Sequence, residues 1–348
     1  MSRIHRSRPL LLAAALAVTS LVAGACSDDD SDSGPPPETR EPAPWTMQPS
    51  VEQLIVTGAE GGQALAVVDD ADAVVAKVVA DDAGNAIVRE LAPGDGYRVV
   101  DAEDEAVSSD ETEVWAVEDV PDQAFYESQE LVEGYQYVET RDGTLLAVNV
   151  TLPGPIEDGP YPTVVEYSGY DPADPNKLQP LQSMANLLGY ASVGVNMRGT
   201  GCSGGSFLFF EPAQWTDGYD VIETIAAQPW STGRVGMIGI SYPGISQLFV
   251  AQTQPPSLAA ITPLSVIDDT YRSTLYPGGI LNNGFATRWA EERQRDGEAF
   301  GQDWAQIRAD QGDETCAENQ ALRTQNPDLF EFIDEAAHPG KYARNGSV

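Results

Sequence analysis

The sequence predicts an α/β domain, a mostly parallel sheet covered by helices on both faces, preceded by a small all-β module. Three observations carry this. Apolar strand-like runs at 161–167, 191–197, 235–240 and 258–266 alternate with helical stretches, notably 178–188 and 215–228. A hairpin signal leads them: runs at 135–139 and 145–152 flank Arg141-Asp142-Gly143. Ahead of these, residues 51–120 hold short apolar stretches cut at close intervals by Gly61-Gly62, Asp81-Asp82-Ala83-Gly84 and Pro93-Gly94-Asp95-Gly96, the punctuation of an antiparallel sandwich.

In chain order, the N-terminus reads as a targeting segment. Arg3, Arg6 and Arg8 form a basic region, and residues 10–25 are apolar but too short and rich in small residues to span a membrane. Leu21-Val22-Ala23-Gly24-Ala25-Cys26 resembles a bacterial lipobox, where the cysteine receives diacylglycerol. The competing reading is an ordinary signal peptide with a coincidental cysteine. The Asp, Ser and Pro tether that follows at once favours lipidation, because an anchored domain needs a spacer. The expectation is a signal peptide at 1–25, lipidation at Cys26, a tether at 26–48, a β-sandwich-like accessory domain at 49–128 and an α/β domain at 129–348. Beyond Asp269 the periodicity turns helical (288–295, 304–310, 321–323, 329–336), which predicts a helical cap from about 269. The protein is then exported and lipid-anchored on the outer face of a bacterial cell membrane.

The chain has 348 residues and a net charge of −35. That balance argues against nucleic acid or an anionic lipid surface as partner, leaving the lipid anchor as the membrane contact. After Cys26 only Cys202 and Cys316 remain. In an oxidising compartment they could pair as a disulfide or stay as two structural thiols, since spacing alone gives no distance.

Gly239-Ile240-Ser241-Tyr242-Pro243-Gly244 lies between a buried-strand pattern, 234–238, and a helical pattern, 245–250. Strand, sharp turn with a central serine, then helix is the layout of a nucleophile elbow. Such a serine needs a base. The chain has two histidines, His5 in the targeting segment and His338 in a turn signal, Ala337-His338-Pro339-Gly340, which reads as a loop histidine. Gly199-Thr200-Gly201-Cys202-Ser203-Gly204 spells a dinucleotide fingerprint, but Ser206-Phe207-Leu208 follows where a phosphate-binding helix would have to start. It reads as a structural loop, with no nucleotide cofactor. No His-x-x-x-His or Cys-x-x-Cys spacing suggests a metal; Asp268-Asp269 reads as a cap.

The elbow and a series of shorter pieces together resemble the CocE/NonD family, the cocaine-esterase and Xaa-Pro dipeptidyl-peptidase-like serine hydrolases. The pieces are Asp142-Gly143, Gly169-Tyr170-Asp171, the run from Arg198 to Gly205, Asp217-Gly218-Tyr219-Asp220, Gln228-Pro229-Trp230-Ser231, and Tyr271-Arg272 followed by Pro277-Gly278-Gly279. They span about 135–279 in the expected order. The resemblance implies an α/β-hydrolase sheet and acyl transfer to water from a small ester, amide or peptide. Ser241 would be the nucleophile and the Tyr242 N–H one oxyanion donor. Tyr170 maps onto the family's side-chain oxyanion donor; taken alone it could equally be a packing aromatic. The family's Asp and His follow the cap, so both are expected beyond Val348, with a catalytically incomplete chain as the consequence. A non-catalytic, lipid-anchored binding protein built on the same fold is the competing reading.

Overall fold

A computed structural model describes residues 40–177, 179–208 and 210–330. Cys26, His338, the targeting segment and residues 331–336 of the last predicted helical stretch lie outside them.

The first module is built from β1 (Glu41–Pro42), β2 (Thr46–Ser50), β3 (Gln53–Thr57), β4 (Ala64–Val68), β5 (Val74–Val79), β6 (Ala86–Arg89), β7 (Gly94–Asp101), β8 (Val107–Ser108) and β9 (Thr112–Val114). One sheet runs β1-β8-β7-β4-β5 with β9 also on β7, and the other runs β2-β3-β6. Trp45, Leu54, Val56, Leu65, Val67, Val88 and Val99 fill a shared core. The predicted boundary at 48/49 needs correction, because β1, Trp45 and β2 already belong to this module. Prolines at 42 and 44 gave the stretch a linker's composition. Pro49 is accommodated because β2 is an edge strand, where a missing N–H costs no ladder bond.

After a short helix α1 (Gln123–Glu127), the second sheet takes β10 (Gly134–Glu139), β11 (Leu145–Thr151), β12 (Tyr161–Ser168), β13 (Ala191–Asn196), β14 (Ser231–Ile240) and β15 (Leu258–Leu264). Its order is β10-β11-β13-β12-β14-β15. β10 and β11 are antiparallel to their neighbours, and β13, β12, β14 and β15 are mutually parallel. This is the α/β-hydrolase arrangement expected from the leading hairpin. Every residue of β13 is buried, as a central strand covered on both faces requires. Helices α2 (Pro180–Leu187), α3 (Pro212–Ala226) and α4 (Tyr242–Gln252) connect the parallel strands. α3 and α4 approach closely at Gly218, where a Cβ would lie 2.2 Å from Val250 Cγ2.

The cap begins with a π-helical turn, Thr270–Leu275, started by Asp269, whose carboxylate accepts from Arg272 N at 2.7 Å. α5 (Ala286–Gly297), α6 (Asp303–Asp310) and α7 (Glu314–Glu318) follow, then a 3-10 turn, Ala321–Gln325. Cys202 and Cys316 form a disulfide that ties the loop after β13 to α7.

The first module is bonded to the α/β domain, not merely tethered to it. Ser50 Oγ donates to Asp142 Oδ2 at 2.5 Å, and Arg89 reaches Glu211 at 3.2 Å and Ser206 Oγ at 2.8 Å. The Ile87 N–H donates to Gln325 Oε1 at 3.1 Å. Burial raises the Glu211 carboxyl above its ordinary value, opposed by the charge of Arg89.

Candidate functional site

Ser241 sits at the junction of β14 and α4 with φ 66° and ψ −122°. A non-glycine residue held at positive φ costs on the order of 1–3 kcal/mol, and such strain persists only where the surroundings enforce it. Here the enforcement is visible. Ser241 N donates to Leu264 O at 2.9 Å, fixing the turn to the end of β15. Helix α4 then starts at once, its first bonds running from Gly244 and Ile245 N–H back to Ser241 O at 2.8 Å each. Two positions must lack a side chain. A Cβ on Gly239 would lie 2.6 Å from Pro243, and one on Gly244 would lie 2.5 Å from Leu264 O. Pro243 occupies the first turn of α4, where the missing N–H is harmless. The turn therefore tolerates a proline two places after the serine, and the glycine falls one place later.

Tyr242 opens the helix, so its N–H has no carbonyl one turn behind it inside α4. Its side chain is fully buried, with ring edges meeting Tyr170, Phe210 and Trp289 at centroid distances of 5.5, 5.3 and 5.5 Å. Burial pushes the phenol well above its ordinary pKa, and its hydroxyl finds no partner among the described residues. Tyr170, on the loop after β12, is half-buried against this ring. Its hydroxyl accepts from Trp289 Nε1 at 3.1 Å, and the Arg293 guanidinium lies 4.7 Å above its ring. Gly169 provides the clearance, because a Cβ there would come within 2.7 Å of the Tyr242 ring. The structure thus brings Ser241, Tyr242 and Tyr170 to one corner at the carboxyl end of the parallel strands, where open α/β sheets bind ligands.

Three of the other pieces that carried the resemblance form a buried ionic frame behind that corner. Arg198 donates to Asp217 through Nε and a terminal nitrogen at 2.7 and 2.5 Å, and to Asp142 at 3.0 Å. All three side chains are almost fully buried. Burial and the neighbouring carboxylates push Asp217 up to about 7, against the pull of Arg198. Asp142 is held well below the usual carboxylate range; Arg198 and donors such as Ser50 outweigh its burial. A second pair, Arg141 and Asp220, is closed at 2.8 Å and topped by the Tyr126 hydroxyl at 2.9 Å. These motifs hold hairpin, loop and helix α3 together.

Glycines of the 199–204 loop serve packing as well. Gly199 and Gly201 have φ of 77° and 54°, and added Cβ atoms would meet Phe207 N at 2.3 Å and Trp304 Cζ2 at 2.3 Å. The next helix, α3, starts only at Pro212. Among the described residues no group of three or more His, Cys, Asp or Glu is placed to hold a metal ion. Neither histidine of the chain lies among them.

Sequence reasoning missed Trp289, Arg293 and Gln302, the cap residues that touch the Tyr170 loop. Trp289 and Arg293 are four apart on α5 and share one face, with Arg293 5.9 Å from the indole. That spacing was readable; the loop they cover was not.

Residues 142–346 match the X-Pro dipeptidyl-peptidase (S15 family). The chain is 33% identical over 162 residues to cocaine esterase of Rhodococcus sp. strain MB1 Bresler, a match covering 44% of this chain and 27% of that protein. A crystal structure of a CocE/NonD family hydrolase from Staphylococcus aureus aligns with a TM-score of 0.46 and 25% identity, covering 58% of this chain and 35% of that one. The chain therefore spans about a quarter of the length of the curated relatives it matches. The family match takes in the buried ionic frame, the elbow and the cap in one continuous stretch of well over half the sequence, and the chain belongs to the X-Pro dipeptidyl-peptidase (S15) family of CocE/NonD-type serine hydrolases.

Proposed function

We propose that this chain carries the nucleophile and oxyanion site of an enzyme that cleaves a small ester, amide or peptide through an acyl-enzyme. The observation that carries the reading is the backbone of Ser241, held at positive φ at the head of α4. In this reading Ser241 Oγ attacks the substrate carbonyl carbon and the leaving group departs from the tetrahedral intermediate. Water then hydrolyses the acyl-serine. The Tyr242 N–H and the Tyr170 hydroxyl donate to the oxyanion, each worth roughly 3 kcal/mol of barrier. The general base is a histidine oriented by an aspartate, both outside the described residues. Supporting this, β15 has one unpaired edge among the described residues, and Leu264 at its end and Val266 just beyond are 51 and 39% exposed, leaving that side open to residues outside those described. Export and anchoring through Cys26 belong to the same proposal, tested by mass spectrometry of the native N-terminus: a diacylglyceryl cysteine is expected, and an unmodified start elsewhere contradicts it.

The activity is tested on the complete open reading frame with p-nitrophenyl esters and an Xaa-Pro p-nitroanilide. Ser241→Ala should abolish turnover of whichever substrate is cleaved without changing the fold. Tyr170→Phe should lower kcat about 10- to 1000-fold with little change in KM, as expected for a donor used mainly in the transition state. Turnover surviving in Ser241→Ala would remove the serine from the mechanism. A folded, soluble protein that cleaves nothing would favour a binding protein on the same scaffold.

A further inference from the structure

Gln302 occupies the N-cap of α6, a position where a short oxygen side chain normally satisfies the first free N–H groups of the helix. It makes no such cap bond, although it is 5% exposed. Its carboxamide is turned away from its own helix. Nε2 donates to two consecutive carbonyls, Gly169 O and Tyr170 O, at 3.0 Å each. Oε1 accepts from Asn196 Nδ2 at 3.2 Å.

Asn196, fully buried at the end of β13, repeats the pattern from the other side. Its Nδ2 donates to Tyr170 O at 2.7 Å, while its Oδ1 accepts from Ala173 N at 3.1 Å. The carbonyl of Tyr170 is therefore gripped by two buried amides, one from the sheet and one from the cap. Space for the grip comes from Gly201, where a Cβ would sit 2.9 Å from Asn196 Nδ2 and 3.0 Å from Gln302 Oε1. On its opposite side the loop is backed by the Tyr242 ring through Gly169. A tyrosine hydroxyl lies at the end of a rigid ring, so its place depends on the backbone that carries it and on the hydroxyl's own contact with Trp289.

Resting on the reading of Tyr170 as an oxyanion donor, we propose that Gln302 is a positioning residue. It holds the Gly169-Tyr170 backbone so that the Tyr170 hydroxyl meets the oxyanion formed at Ser241. The cap would then take part in catalysis through a residue that never touches substrate. Displacement of a positioned group by about 1 Å can cost up to ~100-fold in rate, so loss of the amide should appear in kcat.

The test is a double-mutant cycle on the complete protein, with thermal unfolding as a control for folding. Gln302→Leu should lower kcat about 10- to 100-fold with KM unchanged within a factor of about two. In a Tyr170→Phe background the same change should cost less than about two-fold, because the group being positioned is already gone. Should Gln302→Leu fail to fold, Gln302→Met, which keeps the unbranched shape, serves in the cycle. Equal fold-losses in both backgrounds would make Gln302 a structural residue and overturn the proposal. Wild-type turnover in Tyr170→Phe alone would overturn it differently, by removing the donor role on which it rests.

Discussion

Replacing Arg198 by methionine would take the cation out of a cluster in which two carboxylates, on Asp142 and Asp217, are each 1% exposed at the side chain. Methionine fills most of the arginine's stem, so the change isolates charge from volume. With Arg198 present the cluster carries at most one net negative charge. Without it, two carboxylates face each other away from water, and protonating them is cheaper than keeping them ionised. Asp217 already sits at about 7 and binds its proton at little further cost. The penalty falls on Asp142, whose proton binding Arg198 now suppresses. Protonating a carboxyl of ordinary pKa ~3.9 at pH 7 costs ~3 pH units at ~1.4 kcal/mol each, or ~4 kcal/mol. This agrees with the ~3–5 kcal/mol typical of breaking a buried pair.

The charge on Asp142 also fixes the pH dependence. In the wild type Asp142 has a depressed folded pKa and stabilises above ~4. In the variant its folded pKa is raised, so the native state holds one extra proton and loses stability as pH rises. The gap between variant and wild type should therefore shrink by ~1.4 kcal/mol per unit from pH 7 to pH 5. Urea unfolding followed by tryptophan fluorescence at both values measures it, and adding Asp142→Asn should recover part of the loss at pH 7. An identical gap at pH 5 and pH 7 would mean that lost packing, not uncompensated charge, causes the effect.

Further outcomes follow from the packing. The Cys202–Cys316 bond closes a separation of 114 residues, so the double change Cys202→Ser, Cys316→Ser should lower stability by about 2–5 kcal/mol. Unchanged stability, or two titratable thiols at these positions in the denatured, unreduced protein, would show that the bond is not formed. Gly218→Ala gains ~1 kcal/mol of helix propensity but forces a Cβ against Val250 Cγ2, and overpacking of ~1–3 kcal/mol should win. If the clash is the cause, Val250→Ala should cost less in the Gly218→Ala background than in the wild type; equal costs would place it elsewhere.

The parallel strands of the second sheet were legible as apolar runs long enough to cross it, the leading hairpin from its turn at Arg141-Asp142-Gly143, and the elbow because glycine and serine are punctuated by strand and helix. The end of the 26–48 tether was misread, since Pro42 and Pro44 resemble a linker until β1, Trp45 and β2 are seen to belong to the first module. The bonds from Ser50 to Asp142 and from Arg89 to Glu211, which join the first module to the second, cross 92 and 122 residues and leave no local signal in the sequence. Helix α7 is five residues long and leaves no periodic trace. Around the candidate site, Ser241, Tyr242 and Tyr170 were readable by motif. Gln302 was not, because a glutamine at an N-cap is unremarkable until its amide is seen turned onto another loop.

The nucleophilic role of Ser241 can be tested directly. A fluorophosphonate reacts covalently with an activated serine, and peptide mass spectrometry of the labelled full-length protein locates the adduct. A single phosphonylated residue, Ser241, is expected, with labelling blocked by a hydrolysed substrate and slowed in Tyr170→Phe. An adduct on a different serine, or substrate turnover that continues when Ser241 is unlabelled or replaced, would contradict it.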